Sequence, residues 1–151
     1  MSLLVDTNVL LRLADGQCRE HSGAEIAVEY FLARNITLFI GTQVLVEFWA
    51  VATRPDSVNG LGWSTATAAE KIRALRGQFP ILAETPDVLD RWFDLVNRCK
   101  VTGRHCHDAR LAALVLAHGL QRLLTYDTAD FPRSWGVEAV HPNQIAAMPT
   151  N

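Results

Sequence analysis

Four acidic residues lie at four separate points of the chain, each beside an apolar run. They are Asp6 in Leu3-Leu4-Val5-Asp6-Thr7-Asn8, Glu47 in Val44-Leu45-Val46-Glu47-Phe48-Trp49, Asp108 in His107-Asp108-Ala109-Arg110-Leu111, and Asp127 in Leu123-Leu124-Thr125-Tyr126-Asp127. A carboxylate among residues that gain from burial needs a partner or a shifted pKa, because desolvating a lone charge is costly. No lysine or arginine lies along the chain where it would neutralise all four. Convergence on shared divalent cations is the economical resolution. Clustered hard oxygen donors select Mg²⁺ or Mn²⁺ rather than zinc. Two such ions about 3.5–4 Å apart activate water and stabilise both the attacking and the leaving oxygen of a phosphoryl transfer.

Each acid also has a plainer explanation. Asp6, ahead of Thr7-Asn8, suits a turn or a helix N-cap. Asp108 at a helix start complements the macrodipole, and Asp127 suits a tight turn with Thr128 and Asp130 nearby. Glu47 resists such treatment. It interrupts an apolar run from Val44 to Val51 in which an ordinary amphipathic helix would place charge more often. Its structural alternative is a salt bridge to Arg12 or Arg110.

Positioning these groups takes alternating strands and helices. Ser2 to Asp6 reads as a short buried strand ending at the acid. Ser22-Gly23-Ala24-Glu25 has capping-box spacing and opens a helix to about Arg34. Ile36 to Ile40 is a second strand, closed by Gly41. Thr42 caps a helix that Pro55 stops, and Asp56 to Trp63 is a loop. Ser64 opens a helix to about Arg76, and Phe79 to Leu82 is a short strand or connector. Thr85-Pro86-Asp87 starts a helix to about Cys99. Asp108 to His118 is the next helix, ended by Gly119, and Leu123–Thr125 and Val137–Val140 are the last strands. Short apolar strands alternating with helices imply an α/β fold with a mostly parallel central sheet. Its functional crevice lies beyond the carboxyl ends of the strands, where Asp6 and Asp127 fall.

With 151 residues, 49% of them hydrophobic and 20% charged, the chain suits a single domain. We assign residues 1–145 to that domain and 146–151 to a short tail. A net charge of −2 and a pI near 6.2 argue against bulk electrostatic capture of nucleic acid. A polyanion would have to be held by local basic groups and metal; Arg12, Arg54, Arg104 and Arg133 are the candidates. No apolar stretch is long enough for a bilayer, and Asp6 interrupts the opening run as no secretory signal would allow. Cys18, Cys99 and Cys106 lack framework spacing and read as reduced thiols of a cytoplasmic protein.

The Val5-Asp6-Thr7-Asn8-Val9-Leu10 opening, Glu47 on a helix, His107-Asp108-Ala109-Arg110-Leu111-Ala112-Ala113, and Leu124-Thr125-Tyr126-Asp127-Thr128-Ala129-Asp130-Phe131 occur in an order that resembles PIN domains. The chain looks in particular like VapC-type ribonuclease toxins of toxin–antitoxin systems, from Ser2 to about Val140. The resemblance implies a three-layer, Rossmann-like fold and a Mg²⁺- or Mn²⁺-dependent endoribonuclease acting on RNA. It makes Asp6, Glu47 and Asp108 the acidic core, with Asp6 and Asp108 the direct metal ligands. Asp127 is the fourth acid, with Asp130 a competing assignment, and Thr7 and Thr125 support the site. It also implies a cognate antitoxin and a homodimer, with no membrane partner. Asn59 to Pro80 matches no motif of that family and forms either a dimerisation clip or a wall of the RNA groove.

Rival chemistries are weaker. His105-Cys106-His107, with His118 beyond, lacks the second ligand pair of a zinc site. Asp6-Thr7-Asn8 resembles a phosphatase nucleophile motif but has Asn8 where a second Asp belongs. No phosphate-binding glycine loop is present. Trp49, Trp63, Trp92 and Trp135 could stack on bases, but without a basic stripe they suit packing better. The two rival readings are a metal-dependent phosphatase for small phosphoesters and a non-catalytic binding module.

Overall fold

The apolar run behind Met1 becomes the central strand of a five-stranded sheet. The structure is a computed structural model and describes residues 1–148. Its strands are β1 (Ser2–Val5), β2 (Thr37–Gly41), β3 (Ile81–Leu82), β4 (Arg122–Leu124) and β5 (Glu138–Val140). Their order across the sheet is β3-β2-β1-β4-β5, and every pairing is parallel. Leu3, Leu4 and Val5 are wholly inaccessible, as expected of a parallel strand covered on both faces.

Helices α1 (Thr7–Ala14), α2 (His21–Leu32), α3 (Thr42–Thr53), α4 (Thr65–Gln78), α5 (Pro86–Arg98), α6 (His105–Ala117) and α7 (Pro142–Ala146) flank the sheet. Helix α1 packs on α2 and α3, α3 on α4, and α2 on α7, whereas α5 and α6 form a separate pair. The chain steps outward from β1 to β3, then returns to lay β4 on the other side of β1. Strand order therefore reverses between β1 and β4. A crevice opens there at the carboxyl ends of the two strands.

Several sequence expectations need correction. Thr7–Ala14, for which the sequence suggests no element, forms α1: Asp6 turns the chain straight from β1 into it. Ser22 forms no capping box, since α2 starts at His21 after Glu20, and His21 pairs instead with Glu25 at 3.0 Å. Thr42 is the first helical residue of α3 rather than its cap, and Thr85 occupies the cap position of α5 without bonding through its side chain. Helix α6 begins at His105, three residues before the expected start, which leaves Asp108 still in its first turn. Ser64 does cap α4, accepting from Thr67 N at 3.1 Å. Helix α7 crosses the boundary placed at residue 145 and buries Ile145; residues 149–151 of the assigned tail lie outside the described residues.

The segment that matched no motif ties down the end of α3. Leu61, Gly62 and Trp63 donate backbone N–H groups to the carbonyls of Val51, Arg54 and Ala52 at 3.0, 2.8 and 2.9 Å. These are carbonyls that a helix end leaves without partners. The return is so close that a Cβ on Gly60 would stand 1.9 Å from the Arg54 carbonyl oxygen. Trp63 then packs on Phe48, their ring centroids 6.4 Å apart.

Candidate active site

Asp6 extends the β1–β4 ladder with its own N–H, bonded to the Leu124 carbonyl at 2.9 Å. Its side chain folds back as the N-cap of α1, where Oδ1 accepts from Thr7 N at 2.7 Å. Oδ2 accepts from the buried Thr125 hydroxyl at 2.8 Å. Burial outweighs these bonds and pushes the Asp6 carboxyl from 3.8 up to about 6; the nearby Glu47 and Asp108 charges add to the rise.

Glu47 projects from the second turn of α3. Oε2 accepts from Thr7 Oγ1 and Oε1 from Gln43 Nε2, both at 3.0 Å. The salt bridge weighed from sequence is not formed. Arg110 reaches Gln43 Oε1 at 2.8 Å and Glu84 at 3.1 Å instead. Arg12 donates to the Asn8 carbonyl at 2.9 Å and lies over the Tyr126 ring at 4.1 Å. Arg12 is thus engaged inside the fold.

Asp108 is half-buried on α6, and its carboxyl is also raised, chiefly by burial. The His105 hydrogen bond opposes the rise, while Asp130 and Glu47 reinforce it. Asp127, just past β4, accepts from Asn8 Nδ2 at 3.0 Å. Asp130 closes a 3-10 turn (Thr128–Asp130) and stands beside Asp108 and His105. Of the two contenders for the fourth acid, Asp127 lines the cleft beside Asn8, whereas Asp130 stands against Asp108 and His105.

Asp6, Glu47, Asp108 and Asp127 line one cleft of about 320 Å³, together with Thr7, Asn8 and Arg54. Among the described residues, no lysine or arginine is ion-paired with any of these four acids; His105, 3.3 Å from Asp108, is the nearest approach to one. A second groove of about 370 Å³ runs between α5 and α6, lined by Val88, Leu89, Trp92, His107 and Arg110. It contains none of the four acids.

Sequence reasoning missed three polar residues. Asn8 Nδ2 reaches Asp127 at 3.0 Å, Thr125 Oγ1 at 3.1 Å and Asp6 at 3.4 Å, while its Oδ1 accepts from Tyr126 N at 3.1 Å. Gln43 is buried and links Glu47 to Arg110 and to the His107 carbonyl. Its position four residues before Glu47, on the same helix face, was the available signal. His105, weighed from sequence only as a zinc ligand and set aside, is the third, with Nδ1 3.3 Å from Asp108 Oδ2. The other candidates disperse. Of the four arginines proposed for phosphate, Arg54 lines the cleft. Trp92 Nε1 donates to the Cys106 carbonyl, Trp135 is buried on Phe131, and Trp49 stays partly exposed. His118, set aside with the zinc reading, bonds the Ala83 carbonyl at 2.7 Å.

A parallel α/β domain with carboxylates gathered at its topological switch point is the class that this fold and site define. The chain belongs to the PIN domain family, whose model matches residues 3–134. Among solved structures it is similar to VapBC2 from Rickettsia felis bound to a promoter DNA fragment, with TM-score 0.70 and 16% identity over 93% of this chain and 98% of that one. It is similar also to a toxin–antitoxin complex from Klebsiella pneumoniae, with TM-score 0.65 and 24% identity over 93% and 97% of the two chains. VapC20 from Mycobacterium tuberculosis, described as a sarcin–ricin loop cleaving toxin, gives TM-score 0.60 and 18% identity over 80% and 86%. At these identities the likeness establishes a shared fold. No curated protein matches the chain by sequence.

Proposed function

We propose that this protein is a Mg²⁺- or Mn²⁺-dependent endoribonuclease, the toxin of a VapBC-type pair. The observation that carries the reading is the cleft itself: four carboxylates from four segments meet there without an arginine or lysine paired to them. The donor set fits a hard divalent cation. Each carboxylate there is engaged in a hydrogen bond, and an ionised carboxylate, with about four acceptor sites, keeps capacity for a cation. Asp6 and Asp108 would hold the ion, with Glu47 and Asp127 completing the negative pocket. When bound, such a cation supplies acidified water and neutralises charge at the scissile phosphate.

The chain's own groups do the rest. Thr7 and Gln43 hold both oxygens of Glu47, so this carboxylate is aimed to orient the attacking water and take its proton. Asn8 and Thr125 lock Asp6 and Asp127 to each other across the β1–β4 switch point. Arg54 at the rim receives a phosphate of the RNA backbone. The toxin–antitoxin descriptions of the structural relatives support a cognate antitoxin, and a homodimer accompanies that reading. No helix among the described residues is long and apolar enough to cross a membrane; we place the protein in the cytoplasm.

The test is cleavage of a defined structured RNA, such as a tRNA, with and without each metal. Metal-dependent cutting at discrete positions, lost in Asp6→Asn, is the expected result. Full activity in Asp6→Asn would refute the site. Turnover of a chromogenic phosphoester without any RNA cleavage would move the assignment to a phosphatase.

A further inference from the structure

His105-Cys106-His107 opens α6, and its side chains part company. Cys106 and His107 line the apolar groove between α5 and α6. His105 faces the other way, with Nδ1 3.3 Å from Asp108 Oδ2. Asp130 arrives from the turn after β4, a different element and distant in sequence. One nitrogen and two carboxylate oxygens from these three residues all lie within 4.8 Å of one another. Around a six-coordinate cation with ligands at about 2.1 Å, neighbouring donors stand about 3 Å apart and opposite ones about 4.2 Å. The triad is close to that size, and the His105 side chain is 46% exposed and has room to turn.

The donor chemistry sets this corner apart. Asp6, Glu47 and Asp127 offer oxygen alone, which suits Mg²⁺. An imidazole nitrogen adds little for Mg²⁺, which prefers oxygen and keeps its waters, but suits first-row transition ions. We propose that His105 supplies a nitrogen ligand to a cation held by Asp108 and Asp130, and that this donor biases the position toward Mn²⁺ over Mg²⁺. The inference rests on the metal-dependent reading above. It assigns to His105 what simple pairing with Asp108 does not require: discrimination between two ions of equal charge.

The experiment measures Mn²⁺ binding to the full chain through the EPR signal of the free ion, and Mg²⁺ binding by calorimetry. The proteins are wild type, His105→Ala, His105→Gln and Asp6→Asn. Both His105 variants should weaken Mn²⁺ by about tenfold or more, the scale of losing a group that fixes a bound metal. Mg²⁺ affinity should change by less than about threefold. Nitrogen modulation of the bound Mn²⁺ signal should be present in wild type and absent in both variants. Equal losses for the two ions, unchanged Mn²⁺ affinity, or rescue of Mn²⁺ binding by Gln, which can still bond Asp108, would overturn the assignment. Failure here is separable from failure of the enzyme reading. If wild type binds both ions and Asp6→Asn weakens them while His105→Ala does not, only the role of His105 falls. If wild type binds neither ion, the metal-dependent reading falls with it.

Discussion

Replacing Asp6 with asparagine should stabilise the metal-free protein near neutral pH while it removes activity. Asp6 is 7% exposed, and burial above all moves its carboxyl from 3.8 to about 6. A carboxyl raised in this way keeps, in the folded state, a proton that the unfolded chain has already released. Stability therefore falls as pH climbs from 3.8 to about 6, and the whole penalty is present above that. That rise from 3.8 to about 6 corresponds to about 3 kcal/mol, at about 1.4 kcal/mol per pH unit. Asparagine removes the charge but cannot keep the bond from the Thr125 hydroxyl on the same atom, a loss of about 1 kcal/mol. The net gain is about 2 kcal/mol, or about 4–8 °C in Tm for a domain of this size. Thermal unfolding in EDTA, at about pH 8 and about pH 4, reads this directly. At the lower pH the folded carboxyl is already neutral, and the variant should be no more stable than wild type. Equal gains at both pH values, or none at the higher one, would refute the reasoning. Added Mg²⁺ should raise the Tm of wild type more than that of the variant.

Asp108→Asn should reduce metal-dependent RNA cleavage to background with circular dichroism unchanged; retained cleavage would remove it from the site. Gln43→Leu leaves Glu47 short of one donor and the Arg110 guanidinium with Glu84 as its one remaining side-chain acceptor. It should cost about 1–3 kcal/mol in urea unfolding and lower activity, whereas an unchanged midpoint would show that the network carries no stability. Metal affinity should fall as pH drops below about 6, because the ion must displace the proton that Asp6 then holds; calorimetry across that range checks it. Gly60→Ala drives a methyl into the Arg54 carbonyl and should destabilise by about 1–3 kcal/mol while weakening RNA binding. A silent Gly60→Ala would show that the loop does not set the position of Arg54.

The strands and most helices were legible because their signals are local. A buried run such as Leu3-Leu4-Val5 declares a covered strand by composition alone, and Ser64 and Pro86 mark helix starts by their own chemistry. The positions of the acids were legible for a related reason: a charge embedded in an apolar run contradicts its surroundings, as Glu47 does. Helix α1 was not legible, because its cap, Asp6, follows β1 directly and its own N–H still bonds strand β4. The supporting polar residues were hidden for another reason. Asn8 and Gln43 look ordinary in sequence and gain meaning only when partners such as Asp127 and Arg110, remote along the chain, are brought beside them. The choice between Asp127 and Asp130 has the same character, since only the fold shows Asp127 beside Asn8 and Asp130 beside Asp108 and His105.

The reversal of strand order between β1 and β4 carries a consequence for the timing of synthesis. Asp6 is made 119 residues ahead of the Thr125 hydroxyl that holds it, and Asn8 waits just as long for Asp127. Strand β4 must also slot in beside the central strand before either bond can form. A nascent chain halted ahead of β4 therefore carries Asp6 without its Thr125 partner and the cleft without Asp127. The cleft is complete only after β4 and the turn behind it have left the ribosome; on the ribonuclease reading, RNA cleavage by the chain has to wait for that step.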